Sequence, residues 1–207
     1  MVIKNTAMEL KPIETIYNGY RFRSRLEARW AVFFDACGIK YQYEPEGFNI
    51  GFRYLPDFYL PWWNCFVEIK PDEKEAISEG ELCCTRLFNE KADIVTMLCV
   101  GDPLNDDIRI CCITENKFGS GGPYFLKARF LEGCEWSAGE CGNWSYSKHH
   151  ISIVADTISY LFTSNYKMAL VDTSYELAKF RNDFDYAKEQ ARKARFEYGE
   201  TPKITRR

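Results

Sequence analysis

Two apolar, aromatic runs, Tyr54–Leu60 and Cys65–Lys70, are separated only by Pro61-Trp62-Trp63-Asn64. Runs this short and this rich in Phe, Tyr, Val and Ile read as neighbouring strands joined by a tight connection. Pro56-Asp57 and Glu68-Ile69-Lys70 then meet at one edge of a hairpin. Period-two geometry puts Glu68 and Lys70 on one face of their strand and turns Val67 and Ile69 the other way. Two close carboxylates suit a hard divalent cation, and a lysine beside them can orient a water. Such a set is equipment for metal-assisted hydrolysis of a phosphodiester. The plainer reading is a Pro-Asp turn and a solvated Glu-x-Lys face with a weak ion pair. Both polar sets, however, interrupt strongly apolar strands, where an unpaired charge is costly.

The stretch before the hairpin adds a third acid. Ser24 to Cys37 reads as an amphipathic helix, with Leu26, Trp30, Phe33 and Cys37 at helical spacing and Gly38 as its stop. Glu27 lies at the margin of that stripe, in line with Ala31 and Phe34, and from there can reach toward Asp57. Ser24-x-x-Glu27 is also a capping box, in which Glu27 bonds back to the helix start. Spacing leaves both roles open.

Further along, Tyr41 to Glu44 is strand-like, and a helix is expected from about Lys74 to Lys91, interrupted by Gly80. Ala92 to Val100 and Ile108 to Ile113 read as buried strands, with Gly101-Asp102-Pro103 closing the first. Tyr124 to Tyr146 is rich in Gly, Trp and Cys and has no clear period. Ile151 to Phe162 is apolar again, and Ser174 to Tyr198 reads as a long charged helix. The αβββαβ order predicts an α/β (α+β) fold, a mixed sheet flanked by helices.

With these elements in place, the chain resembles the PD-(D/E)xK nuclease superfamily: a helix with Glu27, strands with Pro56-Asp57 and Glu68-Ile69-Lys70, then helix and strand. More closely, the run from Tyr20 to Asp35 is similar to the opening of a group of phage and prophage nuclease-like proteins. The likeness continues through Tyr43-Glu44-Pro45-Glu46-Gly47-Phe48, Tyr54-Leu55-Pro56-Asp57-Phe58, Val67-Glu68-Ile69-Lys70 and Gly101-Asp102-Pro103, and returns from Ala191 to Glu200. The resemblance implies a restriction-endonuclease-like core over residues 1–115, a Cys/Trp-rich insertion over 116–170 and a C-terminal charged helix and tail over 171–207. It also implies a phage origin and a Mg²⁺- or Mn²⁺-dependent nuclease acting on nucleic acid, with DNA favoured over RNA. Asp57, Glu68 and the Ile69 carbonyl would hold the ion, with Glu27 as a further ligand. Lys70 would position or help deprotonate the attacking water.

Charge patterning bears on partners. The formal net charge of −3 argues against a protein that coats DNA generally. Arg21, Arg23 and Arg25 cluster before and within the first helix and are candidate phosphate contacts, or else an ordinary solvated face. From Lys179 onward, nine basic residues face five acidic ones, while Asp72 to Glu81 holds five acids and one lysine. Nine cysteines, with adjacent pairs at Cys83-Cys84 and Cys111-Cys112, do not resemble a secreted disulfide framework. The expectation is a reducing cytoplasm, that of the host cell if the chain is phage-encoded, with no stretch apolar for long enough to span a bilayer. Cys134, Cys141, His149 and His150 offer a zinc set, but Cys134-x6-Cys141 is looser than a Cys-x2-Cys knuckle. Free thiols and surface histidines are therefore expected there, with zinc as the alternative. A different class of function is a nuclease-fold binding module acting on a host defence complex, with Trp62, Trp63, Trp136 and Trp144 as anchors.

Overall fold

In the computed structural model, residues 13–91, 94–105, 107–112, 124–132, 151–155, 160–162, 168–170 and 184–196 are described. The chain first doubles back at Asn18-Gly19, whose φ values of 48° and 82° are the left-handed pair that a two-residue hairpin turn requires. Strands β1 (Thr15–Tyr17) and β2 (Tyr20–Phe22) flank that turn and pair antiparallel. Helix α1 (Arg25–Cys37) follows. Ser24 is its N-cap, accepting from the Glu27 N–H, and Gly38 closes it at φ 73°.

Four short strands lead to the expected hairpin: β3 (Gln42–Tyr43), β4 (Phe48–Asn49), β5 (Arg53–Tyr54) and β6 (Phe58–Leu60). A 3₁₀ turn over Pro61–Trp63 then enters β7 (Cys65–Lys70). Next comes a helical run in three pieces: α2 (Glu73–Glu75), a π turn (Ala76–Gly80) and α3 (Glu81–Glu90). Strands β8 (Val95–Val100), β9 (Asp107–Cys112), β10 (Tyr124–Glu132) and β11 (Ile151–Ala155) complete the main sheet. A separate pair, β12 (Tyr160–Phe162) and β13 (Met168–Leu170), precedes helix α4 (Asp185–Lys193).

The sheet has seven strands in the order β11-β10-β9-β8-β7-β6-β3. Only β7 and β8 run parallel, joined by the helical crossover; every other pairing is antiparallel. The fold is thus a mixed α+β sheet with helices on both faces. Side-chain alternation assigns those faces. Val67, Ile69, Met97 and Cys99 pack with Trp30, Phe33 and the rest of α1, and α4 joins the same core through Phe184, Ala187 and Ala191. On the opposite face Phe66 meets Leu87, and Leu98 and Cys111 meet Cys84, all under α3. Each fully buried large side chain in these layers contributes roughly 1.5–3 kcal/mol. Arg109 fastens the crossover to the sheet through Glu73, Glu81 (3.0 Å) and Asp107 (3.3 Å).

Several expectations change. Of the helix expected over Ser174–Tyr198, the described residues form Asp185–Lys193; Ala194 is extended, so the helix stops short of Tyr198, and 174–183 and 197–198 lie outside the described residues. Phe196 instead packs edge-on against Tyr17 at 6.2 Å, so burying that ring takes the chain out of the helix. The region from Tyr124, read as lacking a period, opens with the nine-residue strand β10. Its buried Ala128 and Phe130 alternate with exposed Lys127. Phe130 lies 5.4 Å from Phe33 of α1, so β10 joins the sheet and the core formed by the elements before it. Trp63, offered as a surface anchor, is buried with only 4% exposed. The side chain of Trp62, and Trp136 and Trp144 altogether, lie outside the described residues. So do Cys134, Cys141, His149 and His150, the whole of the zinc set. Cys65, Cys83, Cys84, Cys99 and Cys111 are free thiols. No helix among the described residues is long and apolar enough to cross a membrane.

Candidate active site

The register Phe58↔Val67 between β6 and β7, continued by one pair, sets Asp57 opposite Glu68. The Asp57 carbonyl accepts from the Glu44 N–H at 2.9 Å, which extends the β3–β6 ladder by the same step. Asp57 is therefore locked into the sheet from both sides, and its carboxylate becomes part of the ladder. Its Oδ2 accepts from the Ile69 N–H at 2.7 Å and its Oδ1 from Arg23 Nη2 at 2.8 Å. Glu68 is fixed just as fully. Its Oε2 accepts from the Tyr54 hydroxyl at 2.7 Å, and its Oε1 lies 3.0 Å from Lys70 Nζ. The 4% exposure of Asp57 and 6% of Glu68 make these carboxylates the floor of a cleft, not a solvated face.

Four acids line that cleft, whose volume is about 840 Å³: Glu27, Asp57 and Glu68 are buried and Glu75 is exposed. Burial pushes the Asp57 carboxyl well above the usual carboxylate range, and the negative charges of Glu68 and Glu27 push it further. The Ile69 N–H and Arg23 oppose that shift without cancelling it. Burial lowers the affinity of Lys70 for its proton, but the Glu68 charge and hydrogen bond outweigh it and raise the pKa, so the amine is held as an ammonium. An ammonium donates and cannot accept, so in this arrangement Lys70 supplies charge and orientation, not a base. Burial and then Glu68 push the Cys83 thiol, also on the cleft wall, up to about 11. That keeps the thiol protonated near neutral pH.

Glu27 is hydrogen-bonded at the helix start. Its Oε1 accepts from the Ser24 hydroxyl at 2.7 Å, and its Oε2 accepts from the Tyr43 hydroxyl at 2.6 Å and the Arg23 N–H at 3.2 Å. The backbone donor is Arg23, one residue earlier than the capping box predicts. Every oxygen of Glu27 is thus engaged in positioning α1 and the Arg23 backbone. Of the three arginines, Arg23 and Arg25 line the cleft. Arg21 pairs with Glu14 and does not. Arg23 also places Nε 2.5 Å from Glu44 Oε1, so its guanidinium bridges two carboxylates.

Sequence reasoning missed the residues that hold these groups. Tyr43 and Tyr54 place their hydroxyls on Glu27 and Glu68, and the available signal was a polar-tipped ring inside each apolar strand. Gly80 was read only as a helix weakness. A Cβ there would come within 2.6 Å of Leu98 Cδ1 and 3.1 Å of Lys70 Cγ, so its absence lets the π turn press onto the stem of Lys70. Glu79 of the same turn lies 3.5 Å from Lys70 Nζ. A π turn at such a point is a local distortion of the kind often found beside functional side chains.

Among the described residues no group of three or more His, Cys, Asp or Glu side chains is gathered closely enough to hold a metal ion. A two-carboxylate donor set remains. It fits a hard octahedral cation such as Mg²⁺, which keeps several waters and takes one or two carboxylates plus a substrate phosphate. Comparison with known proteins finds no matching family model, no matching curated protein and no matching solved structure.

Proposed function

We propose that the chain is a Mg²⁺- or Mn²⁺-dependent nuclease of the PD-(D/E)xK type, hydrolysing phosphodiester bonds in nucleic acid. The observation that carries this reading is the pair of buried carboxylates, Asp57 and Glu68. Adjacent strands hold them at the floor of an open cleft, with Arg23 and Lys70 as their counter-ions. Burying two like charges side by side costs stability and brings no packing gain, so the arrangement favours a chemical use. The order α1, β3, β6, β7, helical run, β8 supports the restriction-endonuclease-like assignment.

Asp57 and Glu68 would hold the cation, which when bound polarises a phosphoryl oxygen and lowers the pKa of a coordinated water. The Ile69 N–H and the Tyr54 hydroxyl keep the two carboxylates aimed into the cleft. Lys70 sets a positive charge beside them, where negative charge grows on the phosphate, and donates to the attacking water. Hydrolysis adds that water's hydroxyl to phosphorus while the leaving oxygen departs and takes up a proton. Arg23, exposed on one side, offers its guanidinium to a phosphate oxygen.

The test is cleavage of labelled DNA and RNA, single-stranded, duplex and branched, with Mg²⁺ or Mn²⁺. Wild-type protein should cut at least one of them, and Asp57→Asn and Lys70→Met should each slow cutting by about a hundredfold or more with the fold retained. A panel left intact by wild-type protein that still binds it would replace this reading with that of a binding module.

A further inference from the structure

The cleft segregates charge by depth, and that limits what can enter it. Three of its four acids lie at the floor, with Glu27 only 8% exposed and Asp57 and Glu68 less, while Glu75 is exposed. Lys70 stays beside Glu68, but the arginines stand higher: the Arg23 side chain is 55% exposed, Arg25 is half-buried and Arg53 is exposed. Arg53 has no carboxylate partner among the described residues, unlike Arg23, which is shared between Glu44 and Asp57. The wall that carries Arg53 is braced. Arg86 of α3 donates to the Ile50 carbonyl at 3.1 Å and lies 5.2 Å over the ring of Phe52, which ties the β4–β5 hairpin to the helix. Strand alternation turns Tyr54 inward to Glu68 and leaves Arg53 and, two residues on, Leu55 on the other side. Leu55 is 37% exposed and Ile13, also on the cleft, is 53% exposed. A rim of three arginines against one glutamate, with exposed apolar side chains beside them, thus lies above an acidic floor.

Resting on the nuclease reading of that floor, we propose that the rim is a binding subsite for single-stranded DNA, in which Arg53 and Arg25 take the phosphates flanking the one delivered to Asp57 and Glu68. Phosphates seek the rim cations, while Leu55 and Ile13 supply apolar contact for sugar and base faces. The volume of about 840 Å³ is that of a pocket for a few residues of a ligand. A duplex has to lie across its mouth, with its phosphates at the rim and away from the sunken carboxylates. A flexible single strand can dip to the floor. Apolar side chains cannot hydrogen-bond a 2′-hydroxyl and would strip its water, so the same lining favours deoxyribose over ribose.

The measurement is fluorescence anisotropy with a labelled oligodeoxynucleotide, its duplex and the matching oligoribonucleotide, over a series of salt concentrations in EDTA. The single DNA strand should bind tighter than the duplex by about tenfold or more. Neutralising one phosphate contact lowers the slope of log K against log salt by about 0.7 for a single strand, which is the change expected for Arg53→Gln. Arg53→Lys should retain the wild-type slope, and both variants should melt with the wild type because the side chain is exposed. A duplex that binds as tightly as the strand, an unchanged slope in Arg53→Gln, or RNA binding as tightly as DNA would overturn the proposal. Strand binding with these signatures but no cutting in Mg²⁺ would sink the hydrolytic reading and leave the subsite standing. Cutting with an unchanged slope would do the reverse.

Discussion

Single tyrosines decide much of the electrostatics in this chain. Tyr43 and Tyr54 each donate to a buried carboxylate, and Tyr41 donates to Asp35 at 3.3 Å, beside Tyr17 at 2.8 Å and Asn18 at 3.2 Å. Burial raises the Tyr41 phenol above its ordinary value of 10.0, and the Asp35 charge adds to the shift. The folded protein therefore keeps this proton after the unfolded chain has lost its own, so stability falls as pH rises above about 10. Tyr41→Phe should flatten the alkaline limb of a pH–denaturation curve, by at most about 1.4 kcal/mol per pH unit. Curves that superimpose above pH 10 would remove Tyr41 from the account. At this scale the sequence was only half readable. The Asp57, Glu68, Lys70 set was legible because charge inside an apolar strand stands out. The tyrosines were not, because a tyrosine in a strand is ordinary until its hydroxyl is seen to meet an acid.

At the scale of elements, capping and periodicity made α1 and β7 legible nearly to the residue, since Ser24, Gly38 and an unbroken apolar run mark their ends. The β1–β2 hairpin went unread although Asn18-Gly19 carries its turn signal, because the flanking strands have only three residues each. Strand β10 was hidden by its Lys and Arg residues, whose alternation with Ala128 and Phe130 matters only once a neighbouring strand exists. The π turn was unreadable for a related reason: Gly80 is needed by its contacts with Leu98 and Lys70, which come from two different strands. Gly80→Ala should therefore destabilise the protein by about 1–3 kcal/mol through overpacking, although alanine is the better helix former. Because the displaced atoms include the stem of Lys70, cutting should fall more than the loss of folded protein explains. A Gly80→Ala protein of unchanged or higher melting temperature would show that the π turn does not press on Lys70.

For the whole molecule, the sheet does two jobs from its two faces. One buries the aromatic layer shared by α1, β10 and α4. The other, under the helical crossover, carries Glu68 and Lys70 toward the cleft, where Asp57 joins them from the end of β6. The mixed α+β class was legible from the order of apolar runs. The way α4 closes the core was not, because pairings between residues so far apart in sequence leave no local trace. The central claim is that Asp57 and Glu68 form a divalent-cation site and that Glu27 belongs to the helix cap. Titration of metal-free protein with Mn²⁺, followed by electron paramagnetic resonance, tests it most directly. Wild-type protein should bind one ion. Asp57→Asn and Glu68→Gln should each weaken that binding by about tenfold or more while remaining folded, and Glu27→Gln should bind as the wild type does. Mn²⁺ that does not bind the wild type, or that binds the Asp57 and Glu68 variants equally well, would contradict the account.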